Sequence, residues 1–210
     1  MADDAAQPRI LLIDAVLPHH HFELVRHRIA DAPAPVTYAA ARELDYTEVR
    51  GGIASLATWV RAIPERRMAR QHGLPRVPTR MTIDDMTTGS AWSLLGERPG
   101  QEFAIGAVGK FWRPVVDWRE LDDADFDTFD EPGYGKVVMA IATRPYGPHR
   151  ALLTVHSRVQ LTDPASWVKF RRYWRIASPF IGSVHTAILM TIAENARKRA
   201  LDEYVRDPET

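Results

Sequence analysis

The stretch that most constrains this chain lies near its C-terminus, where Asp163-Pro164 pairs a helix-capping residue with proline at the first helical position. Beyond it, Trp167, Phe170, Trp174, Ala177, Ile181, Val184, Ile188 and Ile192 recur every three or four residues. The spacing predicts an amphipathic helix of about 35 residues, long enough to cross a whole small domain. Pro179 removes a backbone donor inside it, so a kink or break is expected near Ser178. Arg197, Lys198 and Arg199 are expected at its negative end.

The rest of the chain has to supply a surface for that stripe. The N-terminal half reads as residues 1–9 of disordered lead, an apolar element over 10–17 of undetermined type, and a strand over Phe22–Ile29 where apolar and polar residues alternate. Asp31-Ala-Pro-Ala-Pro opens a helix over Val36–Leu44. After Gly51-Gly52, Ile53, Leu56, Trp59, Val60 and Ile63 repeat at helical spacing before Pro64. The Arg- and Pro-rich stretch 66–80 reads as a loop.

From Met81 to Thr162 the pattern changes to strands separated by turns. Ala91–Glu97 ends at the turn Arg98-Pro99-Gly100. Gln101–Trp112 alternates with Phe103, Ile105, Ala107, Gly109 and Phe111 on one face. Asp122–Phe129 alternates acids with Ala124 and Phe126, as a strand with one wet face does. Pro132-Gly133 leads into Lys136–Thr143, and Tyr146-Gly147-Pro148 into Ala151–Leu161, with Leu153, Val155, Val159 and Leu161 on one face. Short turns between consecutive strands imply an antiparallel sheet.

Composition narrows the function classes. The chain has 210 residues, 45% hydrophobic and 26% charged, which suits one domain burying roughly 70% of its unfolded surface without metal or disulfide. Expected boundaries are a lead over 1–18, a domain over 19–200 and a tail over 201–210. Basic and acidic residues balance at 27 each, which supplies no general attraction for nucleic acid or anionic membranes. There is no cysteine, which excludes thiolate chemistry and fits a reducing compartment. No secretory or stably membrane-inserted segment is read, so a cytoplasmic location is expected; a homodimer is left open.

Several motifs fail on inspection. His19-His20-His21 alternates sides in an extended segment, where one ion can rarely take all three. Counted from Asp123, a calcium loop would place Thr128 at its glycine and Tyr134 at its glutamate. Gly133-x-Gly135 precedes a strand, where a dinucleotide loop precedes a helix. No metal and no cofactor are expected. His156 and Arg158, with Thr154 and Gln160, fall on the polar face of the last strand and are expected to face solvent. His185 falls on or beside the buried seam of the final helix.

The order of strand, two helices, antiparallel strands and one long helix, with certain motifs, resembles the helix-grip fold of the START and Bet v 1-like superfamily (SRPBCC). That superfamily includes polyketide cyclases and lipid-transfer domains. The motifs are Glu97-x-Pro99-Gly100-x-Glu102-Phe103-x-x-Gly106-x-x-Gly109-x-Phe111-Trp112, Phe126-x-x-Phe129-x-x-Pro132-Gly133, Phe170-x-x-Tyr173-Trp174 and Ala193-Glu194. The resemblance spans roughly residues 20–198 and points to a bacterial subgroup mostly of unknown function. It implies an α+β fold, a curved antiparallel sheet wrapped around the long helix, with two short helices after the first strand. It also implies an internal site for a small hydrophobic molecule: lipid, polyketide, isoprenoid or aromatic. The superfamily shares no catalytic motif, and no catalytic residue is assigned.

Periodicity selects the residues that would line such a site: Phe103, Ile105, Phe111, Met139 and Ile141 from the sheet, and Trp174, Ile181 and Ile188 from the long helix. Trp59 is added from the second helix, and Tyr173 and His185 serve as polar anchors. A non-catalytic binding protein is the leading reading. A cyclase-like enzyme moving a proton with His185 or Tyr173 is the first alternative, and an interaction module with a filled core the second.

Overall fold

The computed structural model describes residues 10–49, 80–88, 91–121 and 125–206. In chain order these form α1 (Leu12–Val16), β1 (Phe22–Ala30), α2 (Ala34–Arg42), a 3-10 turn (Tyr46–Glu48) and α3 (Ile83–Thr87). There follow β2 (Trp92–Arg98), β3 (Glu102–Lys110), β4 (Asp117–Arg119), β5 (Gly135–Pro145), β6 (Ala151–Leu161) and α4 (Pro164–Arg206). The expected helix over 53–63, and Trp59 with it, lies outside the described residues.

The strands form one antiparallel sheet in the order β1-β6-β5-β3-β2. β5 occupies one edge of β3 along Glu102–Gly109, so β2 and β4 share the other edge in tandem, β4 meeting Val108–Lys110. The three expected turns are present, and Gly100, Gly133 and Gly147 hold φ of 76°, 96° and 79°, a region open to glycine at little steric cost. A register shift between Leu94 and Gly96 marks a bulge in β2, which bends and twists the strand locally. With α4 and α2 packed on one face, this is the expected α+β helix-grip architecture.

Strand alternation divides the core in two. Phe103, Ile105, Val137, Met139, Ile141, Leu153, Val155 and Val159 point to the inner face, toward α2 and α4. Ala104, Val108, Val138 and Ala140 point outward, where Ile13 and Leu17 at α1, Phe126 and Tyr134 cover them.

The outer face accounts for two corrections. Leu12–Val16 form a helix, and Ile13 and Leu17 beside it pack on the sheet. His156 and Arg158 do lie on the outer face of β6, but they are only 7% and 8% exposed: His156 meets Glu23 of β1 at 2.7 Å and Arg158 lies against α1. Arg158 reaches Asp14 at 2.6 Å and Glu23 at 3.1 Å, and donates to the Ile13 and Leu17 carbonyls. The solvated strand expected over Asp122–Phe129 is a turn over its described part, 125–129. Phe126 folds inward beside Gly106, where an added Cβ would sit only 2.9 Å from its ring.

α4 runs 43 residues with Pro179 inside it and no break. Arg197, Lys198 and Arg199 therefore sit before its end, where Arg197 pairs with Glu194 at 3.0 Å, and the expected tail over 201–210 begins as helix. Asp163 caps α4 as expected: its carboxylate accepts from Ser166 N at 2.9 Å, Ser166 Oγ at 2.6 Å and Gly133 N at 2.7 Å. The Ser166 hydroxyl and backbone bonds hold that carboxyl down at about 2.

Candidate functional site

Between the inner face and α4 lies a cavity of about 310 Å³. Its floor is Val137 and Met139 of β5 with Ser157 and Val159 of β6. One wall is the end of β3 and the hairpin into β4, through Phe111, Pro114, Val116 and Trp118. The roof is α4 from Phe170 to Ile188, and Tyr46 and Met86 close a further side. Each of those two is held by local bonds. Tyr46 N donates to the Met81 carbonyl at 2.8 Å, while Asp45 Oδ1 accepts from Thr47 N and Met81 N. A reciprocal Thr82–Asp85 capping box starts α3 and sets Met86 over the cavity.

Aromatic rings frame one end. The Phe170 ring lies 5.0 Å from Phe22, 5.5 Å from Tyr173 and 5.7 Å from Trp174. Phe111 meets Trp118 edge-on at 5.5 Å. Arg113, Pro114 and Phe180 are exposed, so the cavity communicates with solvent beside them.

Of the sequence-predicted residues, Phe111, Met139, Tyr173, Trp174, Ile181, His185 and Ile188 line the cavity. Phe103, Ile105 and Ile141 do not; they share the inner face but are buried in solid core. The reason is α2, which packs on their end of the sheet and stacks Tyr38 edge-on against Phe103 at 6.2 Å. Tyr46, Met86, Trp118 and Ser157 were not among the predicted residues. A signal existed for Ser157 alone: it interrupts the apolar parity of β6 between Val155 and Val159.

Ser157 meets His185 in the site's central polar contact, Oγ to Nε2 at 3.0 Å. His185 is 3% exposed. Burial, then the charges of Arg26 and His156, depress its pKa from 6.5 to about 4, so the imidazole is neutral near pH 7. Arg26 comes close because Gly182 leaves space: an added Cβ there would lie 3.1 Å from its guanidinium. Nδ1 of His185 has no hydrogen-bond partner, so no carboxylate orients the ring as in a hydrolytic triad. Burial also raises the Tyr173 phenol.

His21 Nδ1 accepts from Leu161 N at 3.0 Å, so the histidine triplet is partly committed to holding β1 to β6. Among the described residues no three acidic or histidine side chains converge to hold a metal ion.

No family model and no curated protein matches the chain. Solved structures similar to it include norcoclaurine synthase from Thalictrum flavum, at 11% identity, covering 96% of this chain and 98% of that one, with a TM-score of 0.37. A conserved protein from Geobacillus kaustophilus shows 10% identity, 82% and 96% coverage and 0.37. The Zhui aromatase/cyclase from a Streptomyces species shows 12%, 90% and 98%, and 0.30. At TM-scores this low, neither the fold nor the site described above rests on them.

Proposed function

We propose that the protein binds a small, mainly apolar molecule in the space between the sheet and α4. The observation that carries this is the cavity, about 310 Å³ and lined chiefly by aromatic and aliphatic side chains with a few polar groups. That composition and scale are those of small-molecule sites. Native mass spectrometry of freshly purified protein tests it: a small molecule should be retained by the folded chain and released on unfolding. Bare apo mass, with no thermal shift from fatty acids or anthracene dyes, would contradict it.

The Ser157–His185 pair favours a second reading, a cyclase-like enzyme using the same cavity. Against it, an imidazole that protonates only near pH 4 is a weak base at neutral pH, where proton transfer works best with a matched pKa. Turnover of a bound substrate, lost on His185→Gln with binding retained, would establish the enzymatic reading.

A further inference from the structure

The charges of the chain balance in total but not along α4. Toward its C-terminus, Arg197 and Lys198 meet Glu194 at 3.0 and 3.6 Å, and Arg199 meets Glu43 at 2.8 Å. Its first turns carry Lys169, Arg171, Arg172 and Arg175, with no acid between Pro164 and Ala193. All four are exposed, and among the described residues none of them meets a carboxylate. Arg171 lies over the half-buried ring of Trp167, 5.4 Å from its centroid.

The same stretch keeps apolar side chains in solvent. Val168, Arg172, Ile176 and Phe180 follow one another at i, i+4, one row along the helix surface. Val168, Ile176 and Phe180 are all exposed, Ile176 at 83%. The hairpin between β3 and β4 adjoins this part of α4, since Trp112 meets Phe170 edge-on at 6.2 Å. Next to the cavity opening that hairpin holds out Val115, 79% exposed. A single exposed apolar residue is ordinary. Here several large ones are interleaved with unpaired cations.

The physical complement of such a surface is an anionic layer with an apolar layer beneath it. Arg and Lys extend past apolar neighbours and hold their charge among headgroups, while Val, Ile and Phe reach the acyl boundary. Tryptophan is favoured at the same depth. A phosphate backbone would satisfy the cations but leave the aliphatic row in water.

We infer that the outward row of the first half of α4, with the neighbouring hairpin, docks the protein on an anionic lipid surface. The helix lies along the interface and does not cross it, because its other face is turned to the sheet. The cavity opening then falls inside the footprint. Docking of this kind does not depend on what the cavity holds.

Co-sedimentation of the full chain with vesicles of phosphatidylcholine, or of phosphatidylcholine with one-third phosphatidylglycerol, tests it. Partitioning should be at least about tenfold stronger onto the anionic vesicles and should fall as salt screens the charges. Arg172→Ala and Arg175→Ala should each weaken it about fivefold, and Ile176→Ser about threefold. Lys198→Ala, at the paired end of the helix, should stay within about twofold. All four positions are exposed, so each variant should keep the parent Tm. Equal partitioning onto neutral and anionic vesicles, sedimentation with neither, or equal losses from Arg172→Ala and Lys198→Ala would overturn the inference. So would a stable dimer in solution that Ile176→Ser dissociates, because a second copy would then cover the row.

Discussion

The two ends of the inner face are built from the same strands yet packed differently. At the end carrying Phe103, Ile141 and Val155, α2 lies on the sheet with small, fully buried residues such as Ala41, and the buried part of α4 from Ile188 to Ala196 closes over it. At the end carrying Phe111, Val137 and Val159, α4 from Phe170 to Val184 stands over a cavity. There the helix also leaves Ile176 83% and Phe180 51% exposed. A cavity of this kind arises where a large-residue helix face meets a sheet without an intervening layer. Stability should concentrate at the filled end and ligand contacts at the open one.

Truncation gives the largest contrast. Phe103→Ala should cost ~3–5 kcal/mol, as for a fully enclosed aromatic. Trp174→Ala should cost less, about 1–3 kcal/mol, because one side of its ring already borders empty space and forfeits fewer contacts. Chemical denaturation measures both, and equal losses would erase the distinction between the ends.

Acid should act on the open end. His185 has a folded pKa of about 4, below its ordinary 6.5, so the unfolded chain takes up the proton first. Its contribution is fully present above pH 6.5 and is lost as pH falls toward 4, amounting to about 2 kcal/mol at pH 5. His185→Gln should flatten that part of the stability–pH curve. An unchanged slope in the variant would mean that another group carries it.

Enlargement gives the smallest effect and the sharpest sign test. Ala41→Leu at the filled end should overpack and cost about 1–3 kcal/mol, whereas Ala177→Leu projects into free volume and should stay within about 1 kcal/mol. Thermal melts of the two variants compare the ends directly, and a larger loss from Ala177→Leu would reverse the account.

The sequence was legible where one period governs a long stretch. The strand alternation of β1, β3, β5 and β6 and the helical repeat after Asp163 place the inner face and its covering helix. Seven predicted lining residues come from these stretches. It was less legible where position depends on contacts distant in sequence. Phe103, Ile105 and Ile141 share the parity of Met139, and only α2 packing on them decides that they are core. Arg158 reads as solvated because α1, only five residues long, has no amphipathic period to announce that it will meet it, and His156 because its partner Glu23 lies on a distant strand. Tyr46, Met86 and Trp118 reach the cavity from a 3-10 turn, a five-residue helix and a three-residue strand, elements too short to leave a periodic trace. The 126–129 turn reads as a strand because alternation alone does not see the space Gly106 leaves for Phe126.

The most direct test of the open end is the Tm of the parent protein and of Ala177→Trp, each measured with and without a saturating fatty acid or anthracene dye. Ligand at a hundred times its Kd should stabilise the parent by about 2.7 kcal/mol through mass action. The variant, with the cavity occupied by its own indole, should show no such rise. A parent Tm unmoved by either ligand, or an equal rise in both proteins, would contradict a binding site between the sheet and α4.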